Sequence, residues 1–119
     1  MPEGTKTVLI VDDDPQILRL VERMLGGRSV KVISAPRPSE ALRICESERV
    51  DLLISDVAMP EMDGNRLADR VLKLHPETGV LLISGVRDAS TVKNGRIRFL
   101  KKPFFPADLI RLLGEMLPG

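Results

Sequence analysis

Two kinds of hydrophobic pattern alternate along this chain. Thr7–Val11, Val30–Ser34, Leu52–Asp56, Val80–Ser84 and Ile97–Leu100 are short runs, apolar almost throughout and rich in β-branched residues and leucine. Runs of that length and composition read as strands buried on both faces. Between them the apolar period changes to that of a helix. Ile17, Leu18, Val21, Met24 and Leu25 form a stripe behind Asp14-Pro15, a cap followed by a first-turn proline, and Gly26-Gly27 closes it. Pro36 and Pro38 mark a turn before a helix over Ser39–Ser47 that turns Ala41, Leu42 and Cys45 inward. A further helix spans Asn65–His75, with Leu67, Ala68, Val71 and Leu72 on one face and Pro76 as its stop. A short helix is expected over Ala89–Asn94, with Asp88 as cap and Gly95 as stop. Pro106 opens the last helix, which carries Leu109, Ile110, Leu113, Met116 and Leu117. Strands and helices in strict alternation imply an α/β domain, a five-stranded parallel sheet with helices on both faces. Right-handed crossovers leave few topologies for it.

The polar residues that end these strands carry the chemistry. Asp12-Asp13-Asp14 closes the first run, and Asp56 closes the third, just before the sharp turn Met59-Pro60-Glu61-Met62-Asp63-Gly64. Open parallel sheets place their sites at the carboxyl edge of the strands. Several carboxylates would therefore converge there, and such crowding persists only with a cation or for a chemical use. A Mg²⁺-assisted phosphoryl site with one aspartate as acceptor is the chemistry this suggests. Asp14 is read as a helix cap only, and Cys45 as core. His75, beside Pro76 at a helix end, is placed to meet terminal carbonyls.

Bulk composition narrows the class. A chain of 119 residues with 18 Lys+Arg against 17 Asp+Glu offers no clustered basic surface for nucleic acid. Three Phe and no Trp or Tyr argue against a base-stacking platform. The single cysteine excludes an internal disulfide and fits a reducing, cytoplasmic setting. No apolar run approaches the length of a membrane span. One domain over residues 7–117 is expected, after a loose segment 1–6, with no output domain before the end at Pro118-Gly119.

Val11-Asp12-Asp13-Asp14-Pro15, Asp56 with Met59-Pro60-Glu61-Met62-Asp63-Gly64, Leu82-Ile83-Ser84 and Phe99-Leu100-Lys101-Lys102-Pro103-Phe104 together closely resemble the receiver domain of two-component response regulators. The resemblance covers nearly all of residues 6–117. It implies a flavodoxin-like doubly wound (βα)5 fold and a signalling phosphoacceptor rather than an enzyme. It implies Asp56 as phosphoacceptor, and Mg²⁺ (or Mn²⁺) held by Asp12, Asp13, Asp56 and the backbone carbonyl of Ala58. It further implies Lys102 and Ser84 at the phosphoryl oxygens, Ser84 and Phe99 as switch residues, and a cis bond between Lys102 and Pro103. The implied partner is a sensor histidine kinase or a histidine phosphotransfer protein, with no direct nucleic-acid or membrane binding, and a homodimer as one option. The interval from Ser84 to Lys102 is about one helical turn shorter than is usual in the family, so a shortened fourth helix is expected. Ser84-Gly85 and the Phe-Leu-Lys-Lys-Pro-Phe segment look similar to receivers of hybrid histidine kinases.

Two other readings compete. A phosphatase similar to the haloacid dehalogenases would use Asp12 within Asp12-Asp13-Asp14, but Pro15-Gln16 stands where Gly-Thr is usual. A receiver-like interaction module that is never phosphorylated would be favoured by the loss of a pocket residue, and none is lost; the expected shortened fourth helix is its only support.

Overall fold

The structure, a computed structural model, describes residues 5–85 and 97–117. The helix expected over Ala89–Asn94, and with it the shortened fourth helix, lies outside them. The elements are β1 (Lys6–Val11), α1 (Pro15–Leu25), β2 (Val30–Ala35), α2 (Pro38–Ser47), β3 (Leu52–Asp56), α3 (Gly64–Leu74), β4 (Gly79–Ser84), β5 (Ile97–Lys101) and α4 (Pro106–Met116). The five strands form one sheet in the order β2-β1-β3-β4-β5, every pair parallel. Lys6, expected in a loose leader, is instead the first residue of β1 and pairs with Val30.

Strand pleating divides the core in two. Leu9, Val11, Leu53, Val80 and Leu82 face Ala41 and Cys45 of α2 and Leu67, Ala68 and Val71 of α3. Val8, Ile10, Leu52, Ile54, Leu81 and Ile83 face Val21 and Leu25 of α1 and Leu109, Leu112 and Leu113 of α4. Successive strand residues point to opposite faces, so a stretch buried on both sides must be continuously apolar, as Val8–Val11 of β1, Leu52–Ile54 of β3 and Val80–Ile83 of β4 are. Cys45 belongs to this core, and burial pushes its thiol up to about 11, which leaves it an inert hydrophobe.

Local signals set the helix ends. Asp14 caps α1, accepting the Gln16 N–H at 2.9 Å, and Asp63 caps α3 by accepting from Arg66 N–H at 2.9 Å. After α1 the chain turns at Gly27, whose φ of 86° suits a residue without a Cβ. His75 follows α3 as its C-cap residue, and its Nε2 lies 2.7 Å from the carbonyl oxygen of Cys45. The ring thus meets a terminal carbonyl of α2 rather than of its own helix.

The strand order reverses direction between β1 and β3. From β1 the chain proceeds to α1 on one face, and from β3 to α3 on the other. Their carboxyl ends therefore diverge around a crevice at the switch point, where ligands of open α/β sheets bind.

Candidate functional site

Both acidic strand ends open into that crevice. β1 hands the chain to Asp12 and Asp13, and β3 ends on Asp56. One carboxylate oxygen from each of Asp12, Asp13 and Asp56 lies within 4.8 Å of the other two. Asp13 is exposed, whereas Asp56 is 7% and Asp12 only 1% exposed. Asp12 Oδ1 accepts the Asp14 N–H at 2.8 Å, while its Oδ2 is buried with no hydrogen-bond partner among the described residues.

That arrangement perturbs Asp12. Desolvation pushes its carboxyl up from 3.8 to about 6, with the negative charges of Asp56 and Asp13 adding to the rise. The Asp14 N–H and the Lys102 ammonium oppose it. A carboxylate with an unpartnered buried oxygen beside two others is a ready cation ligand. An all-oxygen set of this kind suits Mg²⁺, which prefers carboxylates and retained waters, and Mn²⁺ accepts the same donors.

The positive charge comes from the residue that follows β5. Lys102 Nζ lies 3.3 Å from Asp56 Oδ2. Its backbone N–H donates to the Ser84 carbonyl at 2.8 Å, which extends the β4–β5 pairing by one residue and fixes where the side chain starts. The Lys102–Pro103 peptide is cis. Ser84, at the end of β4, is buried at the same edge. Phe99 pairs in register with Leu82 and packs half-buried against the α2–α3 side of the core. Ala58 lies in the exposed loop that follows Asp56.

Residue 64 is a site feature that patterning alone did not mark. Gly64 N–H donates to Val57 O at 2.8 Å, closing the base of the loop from Asp56 to α3. A Cβ on Gly64 would lie 2.4 Å from the Asp56 carbonyl oxygen and 3.0 Å from Val57 Cα. The Asp63-Gly64 pair signals a turn, but not this approach of α3 to the strand that carries Asp56. Ser55 Oγ donates to Asp56 O at 2.9 Å inside the sheet.

Residues 8–114 match the response regulator receiver domain family. The chain belongs to that family. This receiver is 41% identical over 114 residues to an uncharacterized 14.6 kDa protein from the sodA1 3′ region of Leptolyngbya boryana, covering 91% of this chain and 87% of that one. It is 36% identical over 120 residues to the sensor kinase CckA of Brucella abortus (strain 2308), covering 96% of this chain but 13% of the kinase. Its fold superposes on the signal receiver domain of an HD domain-containing protein from Pseudomonas fluorescens Pf-5 with a TM-score of 0.86 and 30% identity, covering 95% and 94% of the two chains. No helix among the described residues is long and apolar enough to cross a membrane. The haloacid-dehalogenase reading is not favoured: the family match lies elsewhere, and its nucleophile would be Asp12, which is all but sealed from solvent.

Proposed function

We propose that this receiver accepts a phosphoryl group on Asp56 from a phosphohistidine of a sensor histidine kinase or a histidine phosphotransfer protein. The observation that carries the reading is Asp56 itself, at a switch-point strand end with Lys102 Nζ 3.3 Å away and two further carboxylates beside it. A carboxylate oxygen of Asp56 attacks phosphorus. The O–P bond forms as the donor's N–P bond breaks, and the bonding pair leaves with the imidazole nitrogen.

Asp12, Asp13, Asp56 and the Ala58 carbonyl would hold Mg²⁺, which when bound neutralises charge on the transferring group. The remaining work falls to the chain. Lys102 already pairs with Asp56 and is placed to offset charge on an equatorial phosphoryl oxygen. The Ser84 hydroxyl can donate to another such oxygen. Phosphorylation of Asp56 turns the carboxylate that Lys102 now faces into an acyl phosphate, so the loops bearing Ser84 and Lys102 have new partners to find. Phe99, half-buried on β5 opposite Leu82, can follow, and a shift in population between two states would then reach a binding partner.

Intact-mass analysis after incubation with acetyl phosphate and Mg²⁺ tests this. One phosphoryl adduct is expected, dependent on Mg²⁺ and absent from Asp56→Asn. An absent adduct together with no binding of beryllofluoride would retire the proposal in favour of a non-phosphorylated interaction module. In the same assay Lys102→Ala should slow adduct formation by about a hundredfold, the usual scale for removing one charge-stabilising donor. An unchanged rate would show that Lys102 merely pairs with Asp56 at rest.

A further inference from the structure

Helix α2 begins without a cap of its own. Its N-cap residue is Arg37, which makes no side-chain capping bond, and Pro38 follows at the first helical position. Helix N-termini leave their first N–H groups without intrahelical acceptors. Pro38 has none to satisfy, so Ser39 carries the first such donor. Its acceptor arrives from a different element. Glu61 Oε1 accepts the Ser39 N–H at 2.7 Å, and Glu61 Oε2 accepts from the Ser39 hydroxyl at 3.3 Å. Glu61 therefore does in trans what an N-cap aspartate does locally, with its charge at the positive end of the helix.

Glu61 sits in the loop that runs from Asp56 to Gly64. That loop is closed at its base by the Gly64–Val57 bond and anchored by Met59, 8% exposed against the α2–α3 core. The Glu61–Ser39 contact adds a third point on the far side of Ala58. A backbone carbonyl cannot choose its own direction; its loop must aim it.

We infer that Glu61 is a positioning residue for the cation site: by capping α2 it fixes the 57–61 segment in advance, and it couples the first turn of α2 to occupancy of the site. This rests on the phosphoacceptor reading above. Coupling of this sort is reciprocal, so what tightens the site must also tighten the Ser39 bond.

The experiment is a Mg²⁺ titration of isotope-labelled protein followed through its amide resonances, with Ser39 amide exchange measured before and after saturation. Wild type, Glu61→Ala and Glu61→Gln are compared. Both variants lose the same charge, but glutamine keeps a carbonyl oxygen able to accept from Ser39. Glu61→Ala should weaken Mg²⁺ binding by about three- to tenfold, less than the ten- to hundredfold typical of groups bonded directly to a ligand. Glu61→Gln should stay within about twofold of wild type, since its side-chain oxygen remains an acceptor. Mg²⁺ should slow Ser39 exchange in wild type and in Glu61→Gln, and leave it unchanged in Glu61→Ala. Equal weakening in both variants would reduce Glu61 to one more negative charge near a cation and overturn the inference. So would wild-type affinity in Glu61→Ala. If wild type itself failed to respond to Mg²⁺, the phosphoacceptor reading would fall first and this inference with it.

Discussion

Gly64→Ala should lower the melting temperature by on the order of 10 °C and slow phosphorylation of Asp56 by tenfold or more. The reason is steric and lies entirely in backbone. The new Cβ would stand 2.4 Å from Asp56 O, 3.0 Å from Val57 Cα and 3.1 Å from Asp56 C. None of those atoms is the free end of a side chain that could swing aside. Either α3 withdraws from the sheet, breaking the Gly64–Val57 bond and unpacking Leu67 and Val71, or the end of β3 shifts. The first route lowers stability by about 3 kcal/mol, the upper range for overpacking. The second carries Asp56 out of line with Lys102, and displacements near 1 Å are worth about a hundredfold in rate. The two routes separate in experiment: thermal melting reads the first, and the rate of adduct formation at a temperature where the variant is folded reads the second. A variant that melts with wild type and is phosphorylated at the wild-type rate would show that α3 accommodates a methyl group freely, and the close approach would carry no functional weight.

Legibility in the sequence followed the range of the interactions involved. β3 was readable to the residue, because its apolar core Leu52-Leu53-Ile54 lies between Asp51 and Ser55-Asp56. The α1 cap was equally plain, since Asp14-Pro15 is a local signal that needs no tertiary partner. Helix starts slipped by one where the first residue lacks a strong helical preference: α2 begins at Pro38 and α3 at Gly64, one residue earlier than Ser39 and Asn65. Lys6 looked like leader because it is charged, yet at an exposed strand start the side chain stays in water while the backbone pairs. The convergence of the carboxylates and the lysine was legible, since Asp56 ends a strand, Asp12, Asp13 and Lys102 follow within two residues of one, and parallel strands end on a common edge. Glu61 and Gly64 were not. The first acts across 22 residues on the N-terminus of another helix, and the second through the distance between two backbones. Neither leaves a periodic trace. His75 shows the same limit: its position predicted a carbonyl partner, but not that the carbonyl would belong to α2.

Asp12→Asn should make the metal-free receiver more stable at neutral pH while removing its response to Mg²⁺. Asp12 is 1% exposed and titrates near 6 in the folded protein, against 3.8 for the free side chain. Its folded value is raised, so between those two values the unfolded chain has released a proton that the folded chain still holds. Stability contributed by this group therefore falls as pH rises from about 4 to 6, and the full penalty, about 3 kcal/mol, persists above that window. Asparagine keeps the oxygen that accepts from Asp14 N–H and offers an N–H₂ to the neighbouring carboxylates in place of a buried charge. The difference in unfolding free energy between variant and wild type should thus favour the variant by about 2–3 kcal/mol near pH 7.5 and vanish near pH 4. Taking the difference cancels the titration of the groups that do not interact with Asp12, leaving Asp12 and its charged neighbours Asp56, Asp13 and Lys102. Saturating Mg²⁺ should reverse the order, because a ligand that binds only the folded state stabilises it in proportion to its affinity, and only wild type retains the full donor set. Denaturant melts at a series of pH values, with and without Mg²⁺, measure all of this. A difference that stays constant from pH 4 to 7.5, or a variant less stable than wild type in the absence of metal, would mean that the buried Oδ2 of Asp12 is already compensated. The acidic cluster would then not be strained, and its crowding would no longer argue for a cation.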